Sequence, residues 1–408
     1  GVKKNLGFKQ VLNGEDFKAL PLDLSRFDHV IFDELPTDLR NNARDGADLF
    51  DLLQTFREKA GIAAGYDHAM SRMIENLKSL PVANFDRAKR SYTGMVNNNE
   101  KYKNTILQEF TALKDSSELK TFQERISSPK FQDLSRLTAA LREIKTPEEI
   151  ALLRKAVQIS SNGQEEVMKV IQPGMSETEL HGLHEFVHRK YGAEGVGYPS
   201  IVGAGNNGCI LHYIDNNRTR VGQNLVLMDV GAEYHGYTAD ITRTIPANGK
   251  FTAEQKAIYD LVYDAQEAVF RLCKEGTPFP ALNMKAREVL AAGLKKLGII
   301  QKEEELRLYF PHGVSHHLGL DVHDANTQGA LKENMVLTVE PGIYIPENSP
   351  CDKKWWGIAV RIEDDVLVGK EKGEVLSASL ARSAADVEKM VAKKSVLNDF
   401  VLPVLDKK

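Results

Sequence analysis

The chain has 408 residues, 42% of them hydrophobic, and a net charge of −4. Its length allows a large buried core and predicts two domains. The acidic balance offers no basic surface to nucleic acid, and no run reaches the roughly 18 apolar residues of a membrane span, so neither kind of partner is expected. The cysteines are isolated and odd in number, which favours a reducing compartment, the cytoplasm. They are Cys209, Cys273 and Cys351.

Residues 1–140 predict a smaller, helix-rich α/β domain. Residues 27–32 are predicted as a strand, and residues 45–59 and 100–114 have the helical spacing of apolar residues with charges between them. The chain begins at Gly1 rather than Met, which is compatible with an upstream segment that this sequence lacks.

Residues 141–408 predict an α+β domain in which helix pairs alternate with hairpins. Its predicted helices are two within residues 147–189 and one each at residues 252–274 and 281–297. Ser176 with Glu179 predicts a capping box at the start of the second helix, and Thr252 is the expected N-cap of the third.

Asp229 and Asp240 lie on two predicted strands that form a β-hairpin. The first strand is the apolar run 225–229 and the second is residues 237–244, with glycines in the turn between them. A hairpin brings facing side chains within roughly 5 Å, close enough to share two metal ions about 3.5–4 Å apart. Taken alone, two aspartates near glycines are more often turn or edge residues that bind nothing.

Later strands carry further charges. Glu340 ends an apolar strand that Pro341 stops at once. Arg361 and Glu363 lie two residues apart in an apolar run and therefore share a face of the predicted strand. A charge inside such a strand is costly unless it is paired or binds a metal. The alternative to a metal site is an ion pair of Arg361 with Glu363 or with Asp240.

Four of the 11 histidines fall within residues 310–324. They are His312, His316, His317 and His323. Glycines interrupt this segment, which predicts a loop and strand rather than a helix. Spacing alone does not decide which histidine is a metal ligand and which bind substrate. His212, which follows the glycine-rich residues 203–208, is a further candidate, although a lone histidine is more often structural.

Four carboxylates and one imidazole in a single pocket predict a dinuclear metal site. Such a pocket would carry about four negative charges, which a low-dielectric interior tolerates only when two divalent cations neutralise them. The oxygen-rich donor set favours Mn²⁺, with Co²⁺, Fe²⁺ and Zn²⁺ also compatible. Two cations that share a water lower its pKa enough to leave a bridging hydroxide at neutral pH, so peptide hydrolysis needs no protein nucleophile.

Together these motifs resemble the pita-bread metallopeptidases, and most closely the bacterial Xaa-Pro aminopeptidases (aminopeptidase P), with Xaa-Pro dipeptidase (prolidase) as a close relative. The resemblance covers about residues 146–391. The matching motifs lie, in the expected order, at residues 144–149, 208–213, 229–244, 312–324, 339–344 and 361–365. The resemblance implies a catalytic domain with pseudo-two-fold halves, and a smaller α/β N-terminal domain that supports homo-oligomers, either dimers or tetramers. This chain begins partway into the usual pattern of that domain.

The resemblance also implies roles for individual residues. The metal-ligand positions fall on Asp229, Asp240, His316, Glu340 and Glu363. The substrate-side positions fall on His212, His312 and His323, and the active-site arginine on Arg361. In this scheme Glu340 carries the proton from water to the leaving nitrogen, while His323 and His312 stabilise the oxyanion or orient the carbonyl. The leaving nitrogen of an Xaa-Pro bond has no N–H, so a proline pocket reads ring shape, and Tyr344 is a candidate wall.

Three functions are compatible with these residues. The leading one is an aminopeptidase that removes the first residue from peptides with proline at the second position, and residues 355–361 and 376–380 resemble that branch more than the dipeptidases. The second is a prolidase, which accepts Xaa-Pro dipeptides alone. The third is a non-enzymatic peptide-binding module on the same fold, against which the intact ligand positions argue.

Overall fold

The structure is a computed structural model that describes residues 30–32, 73, 76–98, 106–127, 131–133, 135–217, 220–327 and 329–399. By its internal contacts the chain divides into two compact units, Gly1–Leu137 and Thr138–Lys408. The helix predicted at residues 45–59 lies outside the described residues.

Helices make up most of the described part of the first unit. They are α1 (Phe85–Asn98), α2 (Ile106–Ala112) and α3 (Leu119–Ser127). Strands β1 (Val30–Phe32) and β2 (Phe131–Asp133) pair in parallel. The predicted strand at residues 27–32 is confirmed over the range of β1, and the predicted helix at residues 100–114 over the shorter range of α2. The first residues of both predictions lie outside the described residues.

The helices that follow are α4 (Ser135–Glu143), α5 (Pro147–Val170), α6 (Glu177–Lys190), α7 (Ala253–Phe270), α8 (Phe279–Lys296) and α9 (Ala384–Val391). Helix α5 packs against α6, and α7 against α8. The caps predicted at Ser176 and Thr252 are confirmed, each as a full capping box. Helix α7 ends at Phe270, before the predicted residue 274, and Lys274 instead forms a β-bridge with Gly369. Among the described residues, no helix has the length and apolar character needed to cross a bilayer.

The strands of the second unit form small sheets. They are β3 (Gly195–Val196), β4 (Ile201–Ala204), β5 (Leu225–Val230), β6 (Ala232–Tyr234), β7 (Tyr237–Thr238), β8 (Ile241–Pro246), β9 (Val336–Val339), β10 (Gly342–Ile345), β11 (Ile358–Arg361), β12 (Asp364–Leu367) and β13 (Glu374–Val375). Short 3-10 helices lie at Val82–Asn84, Gly205–Cys209, Glu303–Leu308, Lys353–Trp355 and Val396–Asp399. The antiparallel sheets have the orders β4-β5-β8, β13-β12-β9, β3-β6-β7 and β10-β11.

The same arrangement occurs twice in the second unit. Helices α5 and α6 precede the sheet β4-β5-β8, and helices α7 and α8 precede the sheet β13-β12-β9. One hydrophobic core runs through both halves and contains side chains from all four helices. The candidate ligands lie in or next to strands of these two sheets, so the repeat places two carboxylates in each half.

The predicted hairpin is partly right. Strands β5 and β8 pair antiparallel, as expected, but Thr242 rather than Asp240 lies opposite Asp229. Asp240 precedes β8 by one residue and so stands outside the ladder. The connection is longer than the predicted turn because β6 and β7 form a second, smaller hairpin within it.

The single strand predicted around Arg361 and Glu363 is wrong. Strand β11 ends at Arg361 and β12 begins at Asp364, so Glu363 lies between two strands. Strand β11 pairs with β10, whereas β12 pairs with β9 and β13, and the chain therefore changes sheet at this point. The main-chain N–H of Glu363 donates to the Thr242 carbonyl (3.1 Å), which ties this break to the other half.

Replacing Ser176 by alanine removes the side-chain cap of α6, since Ser176 Oγ accepts a hydrogen bond from Glu179 N (3.1 Å). We expect the free energy of unfolding to fall by about 1 kcal/mol, as is usual for the loss of a serine N-cap. Equilibrium urea denaturation followed by circular dichroism measures this change. Ser379→Ala, at an exposed serine outside the helices, is the control, and equal effects of both variants would contradict the capping role.

Candidate metal centre

The structure brings the five predicted ligands together where strands of the two halves end. Asp229 lies in β5, Asp240 and Glu363 directly precede β8 and β12, and Glu340 directly follows β9. His316 is held beside β9, where its N–H donates to Thr338 Oγ1 (3.2 Å) and its carbonyl accepts from Thr338 N (2.9 Å). One ligand atom from each of Asp240, His316 and Glu363 lies within 4.8 Å of the others.

His316 connects two of the carboxylates. Its Nε2 lies 3.4 Å from Asp240 Oδ2 and 3.6 Å from Glu340 Oε1. Burial alone lowers the pKa of His316, but the hydrogen bond to Asp240 and the negative charge of Glu340 raise it to about 9. His317, which spacing could not separate from His316, is buried and packs its ring 5.3 Å from Phe279.

Tyr198 connects Asp229 and Asp240. Its hydroxyl lies 2.6 Å from Oδ1 of each. A phenol carries one proton and donates to one oxygen at a time, so the second close contact requires either a proton on that carboxyl group or a cation nearby. Burial, together with the charges of Asp229 and Asp240, raises the pKa of Tyr198 well above its usual value, and the hydroxyl therefore stays protonated.

The carboxylates crowd one another electrostatically. Burial and the neighbouring carboxylates raise the pKa values of Asp240 and Glu363. The pKa of Glu340 rises to about 7, because burial and the charges of Asp240 and Asp229 outweigh His316 and Arg361. In the part of the chain that the structure describes, the basic side chains that pair with these carboxylates are Arg361, His316 and His312.

This surplus of negative charge fits divalent cations. Burial and the charge of Arg361 lower the pKa of His312 to about 4, so this ring is neutral at pH 7. Arg361 and His316 are then two positive charges against four carboxylates. A buried cluster of this composition is stable only with further positive charge or with bound protons. Carboxylate oxygens with one imidazole are the donors that hard and borderline divalent metals use.

Arg361 contacts two of the carboxylates and two neighbouring hydroxyl groups. Its guanidinium pairs with Asp229, and its Nε lies 3.9 Å from Glu363 Oε2. The alternative ion pair with Asp240 is therefore wrong, since Asp229 takes that place. Arg361 also donates from Nε to Thr242 Oγ1 (3.1 Å) and from Nη1 to the Tyr344 hydroxyl (2.9 Å).

Tyr344 lies between Arg361 and His312. Its hydroxyl is 2.8 Å from His312 Nε2, while His312 Nδ1 lies 2.7 Å from the Gly313 carbonyl oxygen. Only 3% of Tyr344 is exposed. Its role as a wall of a proline pocket stays a prediction, since the observed contacts are those of its hydroxyl.

Sequence reasoning missed three side chains of this network. Thr242 Oγ1 donates to Glu363 Oε2 (2.6 Å), and Asp365 Oδ2 accepts from Asp240 N (3.1 Å). Both residues follow a ligand by two positions, a spacing that places side chains on one side of an extended chain and could have revealed them. Tyr198 carries no comparable signal.

The remaining histidines lie on the solvent side. His212 and His323 are exposed, and the His323 ring meets the His316 ring edge-on at 4.3 Å. In the described part of the chain, neither His212 nor His323 makes a hydrogen bond within the protein. Burial and the charges of His316 and His212 lower the pKa of His323, which is consistent with all three rings facing a common space.

The loop that carries His323 is fixed by buried charges. The neighbouring Asp324 pairs with Lys145 (3.0 Å), and both side chains are 1% exposed. Arg142 also pairs with Asp324, and Asp324 N donates to the His317 carbonyl (2.8 Å). His323 is therefore positioned by ion pairs to residues near the start of α5, whereas the carboxylates are positioned by strands.

Comparison with known proteins gives matches over this region. Residues 151–370 match metallopeptidase family M24. The chain is 41% identical over 266 residues to the Xaa-Pro aminopeptidase of Escherichia coli (strain K12), a match that covers 62% of this chain and 60% of that protein. It is 36% identical over 306 residues to the Xaa-Pro aminopeptidase of Haemophilus influenzae, covering 70% and 71%.

Solved structures give a consistent result. Aminopeptidase P from E. coli with the inhibitor Pro-Leu matches with a TM-score of 0.62 and 39% identity, covering 64% of this chain and 62% of that chain. The matched region thus spans about 60% of the length of the E. coli relative.

Removing bound metal should lower the thermal stability of the protein, because the cations offset repulsion among the carboxylates. We expect the midpoint of thermal unfolding to fall after chelation and to recover with Mn²⁺, since a ligand at 100 times its Kd stabilises by about 2.7 kcal/mol. Differential scanning calorimetry measures this shift.

Glu363→Gln should lose most of the Mn²⁺-induced shift, whereas Glu371→Gln, at an exposed glutamate away from the cluster, should keep it. Equal midpoints of the wild-type protein with and without Mn²⁺ would contradict a metal centre.

Proposed function

The chain belongs to metallopeptidase family M24, and from that premise we propose that it is a dinuclear metal-dependent aminopeptidase that hydrolyses the N-terminal Xaa-Pro bond of peptides. The observation that carries the proposal is the group of three buried carboxylates, the half-buried Glu340 and His316 beneath three histidines. The Xaa-Pro aminopeptidases to which the chain is similar support this choice of bond.

We infer that both metal ions are held by the five clustered side chains. These are Asp229, Asp240, His316, Glu340 and Glu363. When bound there, divalent ions would supply a lowered pKa for a bound water and Lewis-acid polarisation of the scissile carbonyl. The donors are mostly hard oxygens, so we propose Mn²⁺ first, with Co²⁺, Fe²⁺ and Zn²⁺ as alternatives.

Glu340 is proposed to move the proton from the attacking water to the leaving nitrogen. Its side chain is 17% exposed, whereas those of Asp229, Asp240 and Glu363 are 10%, 7% and 2% exposed. Glu340 is thus the carboxylate that a bound peptide reaches most directly. Its Oε2 also lies 3.6 Å from His312 Nδ1, beyond hydrogen-bond distance, while the Nδ1 proton is donated to the Gly313 carbonyl.

His323 and His212 are proposed to bind the substrate. Their ring nitrogens have no partner among the described residues and face the solvent side, so an N–H of either ring can donate to the scissile carbonyl or to the developing oxyanion. We assign His312 to this group as well, through its contacts to Glu340 and Tyr344. Arg361 is proposed to hold Asp229 and Glu363 in place.

The whole protein is proposed to act in the cytoplasm as a homo-oligomer. The three cysteines are free thiols, which suits a reducing compartment. We propose that residues 141–408 carry the catalytic activity and that residues 1–140 belong to a domain that supports assembly.

Glu340→Gln should reduce kcat by about 100-fold or more, because the amide cannot accept the proton. Most of the bound Mn²⁺ should remain, since the other four ligands are intact. Release of the first amino acid from a peptide measures kcat, and elemental analysis measures the metal. With Glu371→Gln as the matched control, an unchanged kcat for Glu340→Gln would exclude it as the proton carrier.

Parallel assays of an Xaa-Pro-Yaa tripeptide and an Xaa-Pro dipeptide with added Mn²⁺ test the substrate class. We expect cleavage of the tripeptide with release of its first residue, and no cleavage of an Xaa-Ala-Yaa control. Hydrolysis of the dipeptide alone would indicate a prolidase instead. Absence of cleavage together with absence of stoichiometric metal would indicate a peptide-binding module.

A further inference from the structure

Two buried glutamines occupy matching places in the two halves of the second unit. Gln164 lies on α5 and Gln266 on α7, each the first helix of its pair, and both are 0% exposed. Fully buried glutamine is uncommon unless its amide is hydrogen-bonded. The partners of these amides are therefore informative.

Gln164 bridges the two chain segments that contain Asp229 and Asp240. Its Nε2 donates to the Met228 carbonyl (2.9 Å) and to the Ile241 carbonyl (3.0 Å). Met228 directly precedes Asp229, and Ile241 directly follows Asp240. One amide nitrogen thus joins the main chain on both sides of this carboxylate pair.

Gln266 makes corresponding hydrogen bonds to main-chain carbonyls in the other half. Its Nε2 donates to the Val339 carbonyl (2.9 Å) and to the Ile362 carbonyl (3.1 Å). These residues directly precede Glu340 and Glu363. The same nitrogen lies 2.9 Å from Asp364 Oδ2, and the Gln266 Oε1 accepts from Arg382 Nη1 (2.9 Å).

The orientation of these amides follows from their surroundings. Carbonyl oxygens accept but do not donate, so the NH₂ group of each glutamine, with its two protons, has to face them. Gln164 Oε1 has no hydrogen-bond partner among the described residues. The hydrogen bonds of this buried amide are therefore the two that its NH₂ group donates. Asp240, Glu340 and Glu363 lie just outside the strands, and outside a regular ladder each main-chain N–H makes one hydrogen bond, to Asp365 Oδ2, the Val314 carbonyl and the Thr242 carbonyl respectively.

We propose that Gln164 and Gln266 are positioning residues that set the separation of the two carboxylates in each half, and through them the geometry of the two metal ions. This inference rests on the proposed dinuclear site. Neither glutamine belongs to the candidate ligand set, and each acts through the main-chain carbonyls beside those residues. Groups of this kind typically change metal affinity or activity 10–100-fold, about the range expected here.

Gln164→Met and Gln266→Met test the inference, because methionine keeps the length of the side chain and removes both donors. We expect each variant to bind Mn²⁺ about 10-fold or more weakly by titration calorimetry. Electron paramagnetic resonance of the Mn²⁺-loaded variants should show less of the coupled two-ion signal and more isolated Mn²⁺. In peptide assays at saturating Mn²⁺, kcat should fall more than KM rises.

Val167→Ala and Val262→Ala are the matched controls. These valines are 0% exposed on the same two helices and make no side-chain hydrogen bond, so their loss lowers stability through a cavity alone. Both controls should keep wild-type Mn²⁺ affinity and the coupled signal. Should a methionine variant fail to fold, the shorter Gln164→Asn and Gln266→Asn variants keep an amide but withdraw it from the carbonyls, and an intermediate loss of affinity is expected.

Glutamine variants that unfold earlier yet bind Mn²⁺ with wild-type affinity and coupling would overturn the inference and leave a purely structural role. That result leaves the proposed function standing, provided that the wild-type protein binds two ions and cleaves the tripeptide. A wild-type protein that binds no divalent ion overturns both.

Discussion

The gathering of four carboxylates, three of them buried and Glu340 half-buried, in one small space is the constraint on which the rest of the second unit depends. Each of them needs a positive group or a donor, and the chain supplies Arg361, His316, Thr242 and Tyr198. These groups do not balance the charge, because Tyr198 and Thr242 are neutral. The arrangement is therefore that of a site built for cations, in which the protein fixes the donors and leaves the compensating charge to the ligand.

The fold solves the same problem twice. In each half two carboxylates lie on or next to a pair of strands. A glutamine from the packed helix donates hydrogen bonds to main-chain carbonyls beside those carboxylates. The two halves are not identical. His316 and the loop that bears His323 come from the second half, whereas Tyr198 and His212 come from the first. The repeat thus accounts for the supporting strands and helices, whereas the histidines and Tyr198 are features of one half each.

Much of this could be predicted from the sequence. The caps at Ser176 and Thr252 are local signals and were confirmed, and acidic residues at the ends of apolar runs identified the carboxylates that cluster. The break at Glu363 could not be predicted, because side-chain alternation is local while the change of sheet depends on distant partners. Tyr198 was missed for a similar reason. Nothing in its neighbourhood indicates that two aspartates far along the chain converge on its hydroxyl.

Because Asp324 pairs with Lys145, the two sides of the site are held in place by different interactions. The carboxylates are held by hydrogen bonds of the main chain around them. The loop that bears His323 is held by ion pairs of Asp324 with Lys145 and Arg142, which lie before α5. The site therefore has a base and an edge that are held in place by different kinds of interaction. The two sides are nevertheless linked, because Asp324 N donates to the carbonyl of His317, the neighbour of His316, and the His323 ring lies against the His316 ring, so a displacement of the edge would be transmitted to a candidate ligand.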